Sequence, residues 1–327
     1  MGLQRMAKST GYTGKESLLS NLREVYRVNL AVKKNERVLV VIDRRKRKLG
    51  RLFLAAGKDF SPCIDLMEIP VGKVNGEEPP SAVAKQMQKH DVLILLTTKS
   101  LTHTNARKNA CRKGARVASL PDATEDMLKR TLSVDYRLMH KRIAEISDVL
   151  DKGKIVRIVT PAGTDLLFSI KGRRAYGRES GIFTRKGRYG NLPDGESFIA
   201  PVEGSASGVF IIDGSIGSMG MVDRPVKVFV QKGSVLKIAG GKAAKVLMKQ
   251  LNDAGNKAKN IAEFGIGMND SAKITGNMLE DEKVIGTCHI ALGNNSGFGG
   301  KVDVPLHIDC LIKKPVIYID EKLLRIP

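Results

Sequence analysis

Two short, uninterrupted runs of aliphatic residues constrain the fold of this chain most strongly. One is Arg37-Val-Leu-Val-Val-Ile-Asp43 and the other is Asp91-Val-Leu-Ile-Leu-Leu-Thr-Thr98. A strand that is apolar at every position, instead of at alternate positions, is typical of a parallel sheet that helices cover on both faces. The two runs therefore predict buried parallel strands.

Strand-like and helix-like segments alternate around these two runs. Further strands are predicted at 63–70 and 116–120, and helices at 15–33, 80–90, 104–113 and 123–150. Such alternation predicts a doubly wound α/β domain, which we assign to residues 1–150, with a loose arm at 1–14. No G-x-G-x-x-G motif follows the first strand, so nucleotide binding is not indicated.

The pattern changes after residue 152. Residues 154–159 and 165–170 bracket Pro161-Ala-Gly163, which predicts a β-hairpin. One helix and several short strands follow, with the helix at 242–253 and the strands at 209–212, 226–230, 235–238, 260–267, 284–292 and 315–319. We predict an α/β protein in which this second part, residues 151–327, is a mixed α+β domain that binds metal and carries the catalytic site.

The chain is strongly basic, with a formal net charge of +21 over 327 residues. Such a charge makes nucleic acid a candidate partner. The sequence has no zinc-finger spacing and no aromatic motif of the kind that stacks bases. A solvated basic surface is the simpler interpretation, and a nucleic-acid partner is not expected.

The location expected from the sequence is cytoplasmic. Four cysteines without C-x-x-C spacing indicate reduced thiols. The first residues lack the apolar core of a signal peptide. No apolar run approaches the roughly 20 residues that cross a bilayer, so no membrane association is expected.

His307 and Asp309 form the first candidate for a metal site. On a strand, residues two apart point to the same face. An imidazole and a carboxylate would then converge, which is common at Zn, Mn, Fe or Co sites. A His–Asp ion pair on a sheet surface is the alternative explanation.

Three more polar residues interrupt apolar segments in the same part of the chain. His289 and Glu263 each stand alone in a strand-like run, where an unpartnered polar group is costly to bury. Glu196 follows Pro193-Asp-Gly195 and precedes a strand, a typical place for a ligand or a base. These positions favour a nearby cation.

Four segments in order resemble the aminopeptidase T family of metalloaminopeptidases: Pro193–Glu203, Ala262–Gly267, Leu279–Gly293 and His307–Asp309. The resemblance implies an aminopeptidase-like hydrolase acting on peptides or other small substrates, and a homodimer. It implies up to two divalent ions, Zn, Co or Mn, held by Glu196, Glu263, His289, His307 and Asp309. Such ions activate water near neutral pH, and Glu196 is also a candidate for moving the proton.

The chain departs from that family at one position. The family has a tyrosine ligand after the first histidine, whereas Gly293-Asn-Asn-Ser-Gly-Phe298 contains none. The same superfamily includes a dioxygenase that opens 2,5-dihydroxypyridine with one Fe(II) and that has His in place of Glu263. His289, His307 and Asp309 can supply two imidazoles and one carboxylate, so an iron dioxygenase remains the alternative.

His103 follows the strand predicted at 91–98. Ligands of open α/β sheets bind at the carboxyl ends of the strands. The resemblance suggests that His103 contacts substrate or moves a proton. An exposed loop histidine is the equally weighted alternative.

Overall fold

The computed structural model describes residues 14–326. The α-helices are α1 Gly14–Glu24, α2 Arg47–Gly57, α3 Ser81–Met87, α4 Asn105–Arg112, α5 Glu125–Thr131, α6 Tyr136–Lys152, α7 Gly241–Asp253 and α8 Met278–Asp281. A π-helical segment, Val25–Asn29, continues α1, and short 3-10 helices lie at Arg44–Lys46, Asn256–Lys259 and Ser296–Phe298.

The strands of the described residues form three sheets. They are β1 Val38–Asp43, β2 Ile64–Ile69, β3 Val92–Leu96, β4 Arg116–Ser119, β5 Ile155–Val159, β6 Asp165–Ser169, β7 Tyr189–Asn191, β8 Glu196–Ile199, β9 Ser207–Ile212, β10 Ser215–Ile216, β11 Gly220–Met221, β12 Val226–Gln231, β13 Ser234–Ala239, β14 Ile261–Gly267, β15 Thr287–Gly293, β16 His307–Lys313, β17 Val316–Ile319 and β18 Lys322–Leu323.

The chain divides into two compact units. The first contains the residues up to Leu132 together with Phe183–Tyr189, and the second contains Ser133–Ile182 and the residues from Gly190 onwards. The general prediction of an α/β protein is confirmed. The predicted domain limits, 1–150 and 151–327, stay a prediction, and the predicted arm at 1–14 lies outside the described residues apart from Gly14, where α1 begins.

A parallel sheet in the order β2-β1-β3-β4 forms the centre of the first unit. Every residue of β1 and β3 is buried, as their uninterrupted aliphatic runs predict. Apolar side chains of α3 and α4, among them Val83 and Ala110, belong to the same core as Leu93 and Val117.

Two helical features of the first half differ from the sequence prediction. Helix α2 was not predicted, because its basic residues hide an apolar face on which Leu49 and Phe53 are buried. The single helix predicted at 123–150 is two helices. Asp135 starts α6 by accepting hydrogen bonds from the backbone amides of Arg137 and Leu138, so the first helix ends before it.

The second unit contains two antiparallel sheets. One has the order β13-β12-β9-β6-β5-β17-β18 and includes the predicted hairpin, β5 and β6. The other has the order β11-β10-β16-β15-β14-β8. Phe168 of β6 packs edge-on against Phe264 of β14, with 5.4 Å between ring centroids. Since side chains alternate along a strand, Glu263 and Gly265 lie on the opposite face of β14 from this core contact.

Among residues 14–326, no helix has both the length and the apolar composition that a membrane crossing requires.

Candidate metal centre

Five polar side chains gather on one face of the six-stranded sheet. They come from β8, β14, β15 and β16, and are Glu196, Glu263, His289, His307 and Asp309. The flanking residues Cys288 and Cys310 are buried with the apolar core, as expected for the other face. The structure therefore brings together all five of the predicted metal ligands.

The strand register places small residues beside four of these side chains. The aligned pairs are Gly267 with Glu196, Gly265 with His289, Ala291 with Asp309 and Gly293 with His307. A Cβ atom at Gly265 would lie 2.1 Å from the His289 ring, so only glycine leaves room for this imidazole. Small neighbours thus make the space in which the polar groups meet.

Glu263 links the other members of the cluster. Its Oε1 lies 3.3 Å from His289 Nε2, and its Oε2 lies 3.4 Å from His307 Nε2. His307 Nε2 is also 3.3 Å from Asp309 Oδ1, and His289 Nε2 is 3.5 Å from Glu196 Oε2. Two sets of three converge: Glu196, Glu263 and His289, and Glu263, His307 and Asp309.

The triad expected for a mononuclear iron site is divided between these sets. Within the described residues, His289 and His307 do not fall in one converging group, because Glu263 lies between them and pairs with both. Each group consists of one imidazole and two carboxylates. Oxygen and imidazole donors of this kind suit divalent ions such as Fe, Mn or Zn.

Hydrogen bonding supports a cation at this place. His307 Nδ1 donates to the Asn294 carbonyl oxygen at 2.8 Å, which leaves Nε2 to act as a ligand. Glu196 Oε2 and His289 Nδ1 are buried without a hydrogen-bond partner. Because buried polar atoms are usually satisfied, these two atoms leave the Glu196 side of the cluster incompletely paired. On the other side, His307 Nε2 and the carboxylates of Glu263 and Asp309 converge as a donor set that fits a metal ion.

The electrostatics of the metal-free cluster favour charged groups. Burial lowers the pKa of His289, but its hydrogen bond to Glu263 and the charges of Glu196 and Asp309 outweigh burial and raise it to about 9. The pKa of His307 is also raised, since Asp309 and Glu263 outweigh burial. Burial opposes ionisation of Glu263, yet the two histidines hold its pKa below the usual range.

Lys283 is a functional candidate that sequence reasoning missed. Its ammonium is buried and lies 2.6 Å from Glu196 Oε1, and it also contacts Glu282. A lysine in the charged segment Glu280-Asp-Glu-Lys283 is expected to lie at the surface in contact with water. The one sequence signal that could have identified it is its position beside acidic residues within the segment Leu279–Gly293 that carries the resemblance.

Aromatic rings border the cluster. Phe298 lies perpendicular to the His307 ring, with 5.9 Å between centroids. Phe198 stands two residues after Glu196 on β8, and its ring packs against Phe298 and Tyr176. No pattern in the sequence indicates that these three aromatic residues meet.

His103 belongs to the first unit. It is exposed in a turn between β3 and α4. Its suggested contact with substrate stays a prediction.

Over residues 14–326, the fold and the site define an α/β protein with two groups of residues able to hold a metal ion. The family is more specific. Residues 29–325 match the family described as NicX, 2,5-dihydroxypyridine 5,6-dioxygenase, and the chain belongs to that family.

Individual proteins similar to this chain include a dioxygenase of the same description. The chain is 24% identical to the 2,5-dihydroxypyridine 5,6-dioxygenase of Pseudomonas putida strain KT2440 over 249 residues, 70% of this chain and 68% of that enzyme. The structure of the P. putida dioxygenase superposes with a TM-score of 0.80 at 19% identity, covering 95% of this chain and 96% of that one. Wild-type AmpT from Thermus thermophilus superposes with a TM-score of 0.68 at 15% identity, covering 93% and 95%. At these identities the structural likeness shows the fold alone.

The assignment to the aminopeptidase T family is wrong, and so are the expected hydrolase, aminopeptidase and metalloprotease activities. The peptide substrate expected with them is also wrong. Both kinds of protein share one fold, so ordered motifs on its strands identify the scaffold but not the reaction. The expected homodimer is not tested by a single chain and stays a prediction.

Proposed function

We propose that this protein is a metal-dependent dioxygenase that opens the ring of a small dihydroxylated nitrogen heterocycle such as 2,5-dihydroxypyridine. The match of residues 29–325 to the dioxygenase family carries the proposal. The converging imidazole and carboxylate groups support it, because dioxygen needs a redox-active centre to react with a stable aromatic ring. The part of the chain from 151 to 327 would then be the catalytic region.

Glu263, His307 and Asp309 would hold the metal, which we propose to be Fe(II). When bound, Fe(II) supplies the electron exchange that makes dioxygen reactive toward the ring. Zn does not change oxidation state and so cannot supply this electron exchange. Co is less common in ring-opening oxidations, and Mn is the nearest substitute for Fe with the same donors.

The remaining groups would position the substrate and handle protons. Asn294 fixes the orientation of the His307 ring through its carbonyl oxygen. His289 Nε2 lies 3.3 Å from Glu263, and its raised pKa suits it to hold a proton and donate it during ring opening. Phe198 and Phe298 offer apolar ring surfaces against which a planar heterocycle can pack.

Oxygen uptake tests this function. Protein loaded with Fe(II) under anaerobic conditions is mixed with 2,5-dihydroxypyridine and air-saturated buffer, and dioxygen and substrate absorbance are followed together. We expect both to fall in parallel. Glu263→Gln, which removes the charge that both histidines contact, should lower the rate by about 100-fold or more, the upper range for groups that support a metal.

The exposed variant Asp253→Asn is the control and should keep the wild-type rate, since its pair with Lys249 lies on α7 at the surface. Folded, iron-loaded protein that consumes no dioxygen with dihydroxypyridines would contradict the proposal.

A further inference from the structure

The carboxylate of Glu263 is shared between the two sides of the cluster. One of its oxygens faces His289 and the other faces His307. Each side has a second carboxylate, Glu196 on one and Asp309 on the other. By donor atoms alone, the cluster offers places for two metal ions that share one glutamate.

One of these two places already has a positive charge. Lys283 Nζ lies 2.6 Å from Glu196 Oε1 and also contacts the carboxylate of Glu282. The lysine side chain is 2% exposed, so water does not screen its charge. Two of the three donors of the ammonium are thereby committed to carboxylates.

The backbone fixes the lysine in this position. Lys283 donates its amide to the Glu280 carbonyl at 3.0 Å, and its own carbonyl accepts from Asn269 at 2.8 Å. A Cβ at Gly267 would lie 2.2 Å from the carbonyl oxygen of Val284, so glycine allows this segment to cross β14. The ammonium is therefore held beside Glu196 by packing as well as by charge.

The other place has no such competitor. In the part of the chain that the structure describes, the ion-pair partners of Glu263 and Asp309 are histidines. A histidine can give up its proton and bind a metal ion as a neutral ligand. A divalent ion at Glu196 would meet the fixed ammonium across one carboxylate in a region of low dielectric. Repulsion is therefore strong on the Glu196 side and weaker on the Asp309 side.

We infer that the Lys283 ammonium takes the place of a second metal ion, so that the cluster holds a single divalent metal at Glu263, His307 and Asp309. Lys283 is thus a positioning residue. It holds Glu196 in place, and it sets the number of metals at one. This inference rests on the metal site of the proposed function, but not on the identity of the substrate.

Metal counting and electron paramagnetic resonance with Mn(II) test the inference. Purified, chelator-treated protein is saturated with Mn(II) and freed of excess, and the bound ion is counted. We expect one Mn per chain with the signal of an isolated ion. Lys283→Met, which keeps the length and removes the charge, should bind two and show a signal from coupled ions.

Lys273→Met is the matched control, because Lys273 is an exposed lysine ten positions earlier, and it should bind one ion. Two ions in the wild-type protein, or one ion in folded Lys283→Met, would overturn the inference.

A second variant covers the case in which Lys283→Met does not fold. Glu196→Gln should still bind one Mn with near wild-type affinity, since Glu196 serves the lysine and not the metal. Loss of the ion from Glu196→Gln would overturn the inference. One bound ion without turnover of dihydroxypyridines would refute the proposed function and leave the role of Lys283 standing.

Discussion

A methyl group at Gly265 would lie 2.1 Å from both Cε1 and Nε2 of His289. Gly265→Ala must therefore displace the imidazole and remove it from Glu263. We expect the free energy of unfolding to fall by about 1–3 kcal/mol, as for other overpacked sites, and the activity to fall about 10- to 100-fold. Urea unfolding and oxygen uptake measure the two effects.

Gly297→Ala is the matched control for this substitution. No atom lies within 4 Å of a Cβ at Gly297, which stands in the short 3-10 helix after β15. Its stability should stay within about 0.5 kcal/mol of wild type, as at other open surface positions. If Gly265→Ala kept wild-type stability and activity, the His289 ring would have room to move away from the added methyl group, which would contradict the close packing described.

The protonation of His289 makes the stability of metal-free protein depend on pH. Its pKa is raised to about 9 in the folded chain, above the usual 6.5 of an unfolded histidine. A raised pKa means that the folded state binds the proton more tightly. The stabilisation is complete below about pH 6.5 and is lost as the pH rises through 9.

Urea unfolding of chelator-treated protein across this range should show stability falling with pH. The pKa of His307 is raised as well, so His289→Gln should reduce the slope without abolishing it. A stability that rises between these pH values would mean that the histidines are neutral in the folded protein.

At the scale of elements, the loop between β15 and β16 borders the cluster beside His307. It contains Asn294, which orients His307, and Phe298. Glu203 ties the loop down by accepting from Asn295 Nδ2 at 3.0 Å and from the Lys301 amide at 2.8 Å. Glu203, a residue outside the loop, therefore holds the loop in place.

Glu203→Ala should release this loop. We expect the KM for the heterocyclic substrate to rise about 10-fold and kcat to change less. The reason is that the loop affects how the substrate ring packs against Phe298 more than it affects the chemical step. Glu203→Gln keeps the oxygen that accepts from the loop but loses the charge that pairs with Arg173, so its effect should be smaller. Equal KM values for the three proteins would show that the loop does not contribute to binding.

The elements that could be predicted from the sequence are those with an uninterrupted chemical pattern. Strands β1 and β3 follow from aliphatic runs whose burial leaves few alternatives. Helix α2 could not be predicted in this way, since Arg47, Lys48 and Arg51 lie on its exposed face and dominate its composition. Patterning identifies a buried surface only where polar residues do not obscure it.

For the whole molecule, the residues that gather in the cluster could be predicted, but the reaction could not. Polar residues alone in apolar strands, such as Glu263 and His289, are visible in the sequence because their burial is costly. The contact of Lys283 with Glu196 joins residues 87 positions apart, and only the fold brings them together. The same donors on the same sheet suit hydrolysis or oxidation, so the family match was needed to distinguish them.

The fate of labelled oxygen tests the central claim most directly. Iron-loaded protein is supplied with 2,5-dihydroxypyridine and ¹⁸O₂ in ordinary water, and the ring-opened product is weighed by mass spectrometry. A dioxygenase places both atoms of one dioxygen molecule in the product, so we predict the mass gain of two ¹⁸O atoms. A product that contains oxygen from water in place of both labelled atoms, or an intact ring, would contradict the account.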